Sequence, residues 1–338
     1  MAGQPIEVFP QYVGKYSEEL WRPVLINNPD LKDQGIKTIL DIRSKLIVYY
    51  TGRLRYITKK WTTCGSTPTG DGVTVGDEEI TVTKMGIDLN QCFGLFNQTI
   101  LEFATRKGYD VNNMEGTEIG TMIMEMIIEG AFWDLLREMW FGDTASANAY
   151  FSPYDGFIKK IRATVLAGLT PNVPIASAAA IDTPLEAYTL LLAVINNREL
   201  PMSGFDKKKQ QILVTGNIYD LYETYISTLN GSETSYYNVV NGVEQPMIKG
   251  FPVIKMNIWD EIRDANPTIK DDSPYGMVIM TTDDESLILA VDAQDDWAKV
   301  EAWFEKKDEK NYWRVRYFAG TFIKYPDMLS TAGLEVYA

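Results

Sequence analysis

The chain has 338 residues, a formal net charge of −14 and no histidine. Without histidine, a Ser-His-Asp triad, a Cys-His pair and any zinc site with a histidine ligand are excluded. The acidic charge also repels nucleic acid and anionic lipid at long range. Composition therefore favours a structural or binding protein over an enzyme.

The cysteines and the hydropathy of the chain narrow the class of protein further. Cys64 and Cys92 are the only cysteines. They lack the CxxC spacing of a metal or redox site and are too few for a disulfide framework, so we expect reduced, structural thiols. No uncharged apolar window reaches membrane-spanning length, and residues 1–12 show no signal-peptide pattern. We therefore predict neither secretion by that route nor a membrane span.

The N-terminal part of the chain is predicted to be an arm followed by a hairpin. Four prolines interrupt residues 1–45, and their apolar residues must lie against this subunit or a neighbour. Residues 46–86 are predicted to form a long hairpin. Two segments suited to strands flank the glycine-rich segment 65–72, which suits its tip.

The predicted hairpin carries a one-sided charge. From Ile42 to Gly70 there are six cations and no anion, and aromatic residues lie among the cations. Such a pattern is typical of single-stranded nucleic-acid binding. Removing +6 from −14 would leave −20 on the rest of the chain, which favours docking on another acidic copy. A solvated ribbon is the third interpretation. The predicted inter-subunit contact residues are Arg53, Arg55, Tyr56, Lys59, Lys60 and Trp61.

Two helices are predicted after the hairpin. The first begins at Asp88, with Gln91 as its capping-box partner, and ends before Gly108. The second, Thr117–Trp140, has two apolar stripes. Because such a helix buries both sides, we expect it to be sandwiched between other elements.

The rest of the chain is predicted to be a compact mixed region that ends in two long strands. The predicted elements are a helix capped by Thr183 and Glu186, a strand at Gln211–Thr215, a helix capped by Asn217, a hairpin at Val239–Val243, and strands at Phe251–Asn257, Met277–Thr281, Leu287–Val291, Lys299–Lys306 and Tyr312–Ile323.

Two patterns suggest chemistry, and both favour a structural interpretation. Gly216-Asn217 at a strand-to-helix turn suits a phosphate at a helix N-terminus, but one glycine falls far short of GxGxxG and an N-cap explains Asn217. Eight acids lie between Asp271 and Asp296 without a DxDxDG loop, so solvated turns are favoured over a calcium or magnesium site. We predict no catalytic residue, no cofactor and no metal ligand.

The order of these elements resembles the major capsid proteins of tailed bacteriophages, which have the Hong Kong 97-type fold. The stretches that look like family segments are Phe141–Thr144 with Asp155–Ile158, Lys249–Ile254, Tyr275–Thr282 with Leu287–Asp292, and Tyr312–Gly320. The resemblance implies an α+β fold in five parts. These are an N-terminal arm (1–45), an E-loop hairpin (46–86), a P-domain with a long spine helix (87–165), an A-domain (166–297), and closing P-domain strands with the C-terminal tail (298–338).

The same resemblance implies a geometric rather than catalytic function. Copies of the chain would assemble as hexamers and pentamers of an icosahedral virion shell, after folding in the cytoplasm of a bacterial host. The shell would enclose double-stranded DNA without sequence-specific binding. Other expected partners are scaffold and portal proteins, with decoration proteins as an optional addition.

Three further points follow from the resemblance and its rivals. An encapsulin-type nanocompartment shell is the alternative within this fold, and a carboxylate-dependent glycosidase is the alternative from another class. Lys59 or Lys60 could take the place of the lysine that crosslinks subunits in the family member with a covalently linked shell. No matching asparagine or assisting glutamate is identified, so a non-covalent shell is expected.

Overall fold

A computed structural model describes thirteen segments of the chain: residues 11–12, 34–39, 45–51, 75–92, 118–175, 181–229, 237–240, 243–266, 276–282, 286–292, 300–305, 307–308 and 310–334. The predicted contact residues of the hairpin, residues 53–61, lie outside these segments, as do residues 93–108 of the first predicted helix.

The described residues form six α-helices. They are α1 (Glu118–Phe141), α2 (Phe157–Leu166), α3 (Pro184–Asn196), α4 (Leu200–Ser203), α5 (Gly216–Thr228) and α6 (Asn257–Ala265). The predicted long helix is confirmed as α1. The predicted capping box of α3 is also confirmed: Thr183 accepts from the Glu186 N–H, and the Glu186 carboxylate accepts from the Thr183 N–H.

Fifteen strands lie in the described segments. They are β1 (Gln11–Tyr12), β2 (Ile36–Ile39), β3 (Lys45–Thr51), β4 (Val75–Thr81), β5 (Thr83–Cys92), β6 (Asn172–Val173), β7 (Gln210–Val214), β8 (Tyr237–Val240), β9 (Val243–Ile248), β10 (Phe251–Lys255), β11 (Val278–Thr282), β12 (Leu287–Asp292), β13 (Val300–Glu305), β14 (Lys310–Ile323) and β15 (Ser330–Ala332). The strands predicted from residue 211 onward are confirmed, except that Asn257 begins helix α6 instead of ending a strand.

The first sheet is organised around the long strand β14. Strand β5 pairs with residues 310–319 of β14, so β13 and β12, which pair with residues 310–315 and 318–323, share the opposite edge. Alternating residues of β14 face α1, as expected for a strand with one covered face. The inward residues Trp313, Val315, Tyr317 and Ala319 join the core that includes α1.

Part of the predicted arm is built into this sheet. Strand β1 pairs antiparallel with β13, and β2 pairs parallel with β12. The two arm strands therefore cover edges of the subunit's own sheet, which would otherwise present unpaired backbone groups. Apart from residues 34, 35 and 45, the other residues of the predicted arm lie outside the described segments.

The prediction of a helix beginning at Asp88 is wrong for residues 88–92. These residues belong to β5, which pairs with β14 over ten consecutive residue pairs. Asp88 does not cap a helix, because its carboxylate accepts a hydrogen bond from Arg314 on the neighbouring strand. A continuous backbone ladder overrides the local capping pattern, which contributes only about 0.5–2 kcal/mol.

The second sheet has seven strands in the order β6-β15-β11-β7-β10-β9-β8. Its central strands are buried on both faces. Ile212 and Val214 of β7 pack into the core formed with α3 and α5, whereas Leu213 between them packs into the core that includes α1 and α6. One sheet therefore separates the two large cores and holds them in a fixed relation.

The predicted cap of the helix after β7 is corrected. Thr215 occupies the N-cap position of α5, and the Asn217 side chain accepts a hydrogen bond from the Thr215 hydroxyl instead. The Gly216 N–H donates to the carboxylate of Asp260 on α6 at 2.7 Å. A carboxylate from another helix thus already occupies the position that a phosphate would take.

The base of the predicted hairpin is confirmed. Strands β3 and β4 pair antiparallel over seven residue pairs, and an ion pair joins Lys45 to Glu79 across them. Ile80 of β4 is fully buried in a small core with Ile288 of β12 and Phe322 of β14. The described base of the predicted hairpin is therefore anchored to the first sheet.

Candidate subunit-contact site

An apolar stripe runs along the outward side of α1. Met126, Gly130, Trp133 and Arg137 recur at helical spacing and so lie on one side of the helix. Met126 is 63% exposed and Trp133 is 47% exposed, although both are large apolar residues. The opposite side of the helix, which includes Leu135, is buried in the main core.

The stripe continues onto the loop that follows the helix. The Arg137 guanidinium lies 5.9 Å from the ring centre of Tyr150 and 5.5 Å from that of Phe151. Tyr150 is 70% exposed, whereas Phe151 is buried. The helix and the loop therefore present one continuous surface, bordered by the exposed acids Glu125 and Glu129.

This surface explains a partial failure of the sandwich prediction. Within a single chain, residues 125–141 of α1, whose burial is described, are covered on one side only. Contiguous exposed apolar surface is a mark of protein–protein contact sites. The two apolar stripes predicted burial on both sides, and the chain does bury Ile127 from one stripe and Leu135 from the other. Met126 was predicted to be buried and is exposed, and Trp133 belongs to neither stripe.

The C-terminal end of α1 is fixed by aromatic packing. The Trp140 ring makes edge-to-face contacts with Phe157 of α2 at 5.3 Å and with Trp259 of α6 at 4.9 Å, measured between ring centroids. Such pairs add about 0.5–1.5 kcal/mol beyond the burial of their area. Three helices from distant parts of the sequence are thereby held together at one point.

Two glycines allow the chain to turn tightly at this point. The Gly142 N–H donates to the Glu138 carbonyl, and the Gly156 N–H donates to the Gly142 carbonyl, both at 2.8 Å. A Cβ atom on Gly142 would lie 2.3 Å from the Tyr154 carbonyl oxygen, and one on Gly156 would lie 2.7 Å from the Gly142 nitrogen. Neither position has room for a side chain.

An ionic cluster closes the same turn from the solvent side. The Lys159 ammonium donates to Asp143 at 2.5 Å and to Asp155 at 2.7 Å. Burial opposes charging of Asp155, but hydrogen bonds from Lys159 and Thr144 outweigh it and lower the pKa of that carboxyl. These contacts at the two ends of the loop between α1 and α2 therefore fix the position of the loop that carries Tyr150.

A buried carboxyl group lies behind this loop. Glu138, in the last turn of α1, is only 4% exposed. Burial raises its pKa to about 7, and the neighbouring Arg137 opposes that rise only partly. Burial also raises the pKa of Tyr154 and Tyr317, whose phenol groups are close enough to interact with the Glu138 charge. No sequence pattern links these residues.

Three further predictions concern metal binding, the acid cluster and a membrane span. Within them, no group of three Cys, Asp or Glu side chains could hold a metal ion. The prediction of solvated turns is wrong for Asp292, which lies at the end of β12 and is buried. No helix of the described segments is both long and apolar enough to cross a bilayer.

The chain matches solved capsid structures over almost its whole length. Against a chain of the satellite phage P4 procapsid with its size determination (Sid) protein, the TM-score is 0.60 at 12% identity, covering 99% of this chain and 93% of that one. The chain has the Hong Kong 97-type capsid fold. No protein-family model and no curated protein matches the sequence.

Two other phage structures support the same capsid fold. Gordonia phage Cozz matches with a TM-score of 0.53 at 11% identity, covering 90% of this chain and 85% of that one. The capsid of Myoviridae phage XM1 matches with a TM-score of 0.50 at 12% identity, covering 89% and 90%. The predicted α+β class and the predicted resemblance are therefore confirmed.

Proposed function

We propose that this chain is the major capsid protein of a tailed bacteriophage, a shell subunit that assembles with copies of itself. The observation that carries the proposal is the capsid fold, which matches the P4 procapsid chain over nearly the whole of both chains. The exposed stripe of Met126 and Trp133 supports it, because a shell subunit needs apolar contact surface.

The proposed assembly consists of hexamers and pentamers of an icosahedral shell around double-stranded DNA. Closed assemblies of identical chains repeat each contact by symmetry, so weak contacts add up over the particle.

Within each subunit, residues 87–165 and 298–338 would form the P-domain, and residues 166–297 would form the A-domain. The cationic hairpin, with Lys59 and Lys60, would contact the acidic body of a neighbour. Scaffold and portal proteins would assist assembly of the virion.

Purified chain, alone or with its scaffold, is expected to form particles of megadalton mass. The measurements are light scattering after size exclusion and negative-stain microscopy. A monomer that persists under every assembly condition, with scaffold and portal supplied, would contradict the proposal.

Particles from the native host should protect double-stranded DNA from nuclease. A protein cargo without DNA would instead indicate a nanocompartment.

Replacing Trp133 by glutamate is expected to reduce particle yield at least tenfold. The change places a charge in an apolar contact that recurs in every subunit, while the side chain is exposed enough to leave the monomer folded. Particle yield and the circular dichroism of the monomer are measured together. Trp133→Phe, which keeps an aromatic ring, is the matched control and should assemble. Normal assembly of Trp133→Glu would remove the stripe from the contact surfaces.

A further inference from the structure

Glu138 lies where three parts of the capsid fold meet. It belongs to the last turn of α1, where the negative end of the helix dipole disfavours a negative charge. Tyr154 of the 142–156 turn and Tyr317 of β14 belong to the same core as the last turn of α1, and the turn is bonded to the Glu138 backbone by the Gly142 N–H. Burial raises the pKa of both tyrosines, and the Glu138 charge adds to that rise. All three side chains are buried.

The carboxyl group of Glu138 is poorly compensated. One oxygen lies 3.5 Å from the Arg137 Nη2 atom, a long contact for an ion pair. The other carboxyl oxygen and the Tyr154 hydroxyl have no hydrogen-bond partner among the described residues. The Arg137 guanidinium is held mainly by Asp134, at 2.5 Å. The charged form of Glu138 therefore lacks the partners that a buried carboxylate requires.

The cations on the neighbouring helices have partners of their own, and Arg162 of α2 is among them. On α2, Lys159 binds Asp143 and Asp155, and Lys160 donates to the Thr321 carbonyl. On α6, Arg263 lies 3.8 Å from Asp260. The ionisable groups that interact with Glu138 are thus Asp134 and Arg137 of its own helix, with the two tyrosines. Both tyrosines stay protonated near neutral pH, because burial raises the pKa of each.

Arg137 connects this buried group to the exposed loop. Its guanidinium lies over the rings of Tyr150 and Phe151, and its Nη2 atom lies 3.5 Å from the Glu138 carboxyl group. A charge on Glu138 attracts Arg137 inward, and the cation–π contacts that hold the loop weaken as a result. The same charge in a buried site also favours opening of the turn that covers it.

We propose that Glu138 is a proton-controlled latch: its neutral form holds the 142–156 turn closed against α1 and β14, and loss of its proton loosens the turn and the Tyr150 surface. The latch acts within a single chain, so it does not depend on shell formation. It assigns a conformational role to a buried cluster that the contact surfaces do not use.

The direction of the pH effect follows from the raised pKa of Glu138, about 7 in the folded chain against 4.5 when the group is free. The closed form binds the proton more tightly than the open form. The free energy by which protonated Glu138 favours the closed form is fully present below pH 4.5 and is lost as the pH rises to about 7. From pH 6 to pH 8 the opening equilibrium should increase about tenfold.

Hydrogen exchange on the assembly-free chain tests the latch. The reporters are the Asp143 N–H, bonded to the Phe151 carbonyl at 2.6 Å, and the Gly156 N–H, bonded to the Gly142 carbonyl at 2.8 Å. After correction for intrinsic exchange, protection of peptides spanning 142–156 should fall about tenfold from pH 6 to pH 8 in the wild type. In Glu138→Gln it should be constant with pH.

A matched variant separates the latch from a general charge effect. Glu129→Gln removes an exposed carboxyl group from the same helix and should keep the wild-type pH dependence. Wild-type protection that does not change with pH would overturn the proposal, whether or not Glu138→Gln folds. Unaltered pH dependence in a folded Glu138→Gln protein would also overturn it. Neither result bears on whether the chain forms shells.

Discussion

Gly156→Ala is expected to lower the free energy of unfolding by at least about 3 kcal/mol and to leave little soluble protein. The added methyl group would lie 2.7 Å from the Gly142 nitrogen and 2.8 Å from the Glu138 and Trp140 carbonyl oxygens. All three are backbone atoms at the end of α1, so none can move away as a side-chain tip would. Denaturant unfolding of the soluble fraction measures the loss.

Gly130→Ala provides the opposite expectation in the same region. A Cβ atom at this exposed position in the middle of α1 meets nothing within 4 Å. Alanine forms helix better than glycine, so this variant should be more stable by about 0.5–1 kcal/mol. Equal stability of the two variants would mean that the turn between α1 and α2 is not closely packed against the helix end.

Charge reversal in the hairpin is expected to abolish assembly while the monomer stays folded. Lys59→Glu with Lys60→Glu converts two proposed attractions to the acidic neighbour into repulsions. Each exposed pair contributes only about 0.2–1 kcal/mol, but every subunit of a closed shell repeats the loss. Particle yield is measured by light scattering across a salt series. The defect should lessen as salt rises, because salt screens exposed charges.

A charge-matched control tests whether position or total charge matters. Lys208 and Lys209 are exposed lysines that precede β7, and reversing both changes the net charge by the same amount. That double variant should retain substantial assembly. Normal low-salt assembly of the Lys59/Lys60 variant, or equal failure of the two variants, would count against the hairpin as an electrostatic contact.

Local patterns predicted several elements of this fold accurately. Helical periodicity identified α1, and the Thr183/Glu186 capping box identified the start of α3. Alternating residues identified β14, because one face of a strand in an antiparallel sheet lies on the core. These signals act over a few residues, so they survive in an isolated sequence.

Other elements were not predicted correctly, in one case because a short segment suits both a helix and a strand. Asp88–Cys92 has a capping pattern but forms a strand, because β14 provides ten backbone partners. Helices α2 and α6 were not predicted, although Phe157, Ile158 and Ile161 lie at helical spacing and are buried on one side. For Asp88–Cys92, tertiary pairing and not local propensity selects the structure.

The sequence by itself determined the acidic character of this protein, the absence of histidine chemistry, and an element order that resembles phage capsid proteins. Only the tertiary structure decided which side of α1 the chain covers, and it left Met126 and Trp133 exposed. It alone placed Tyr317 of β14 in the same core as Tyr154 and the end of α1, from which it is far apart in sequence. Burial and charge compensation depend on neighbours in space, and no local pattern encodes which distant residues those neighbours will be.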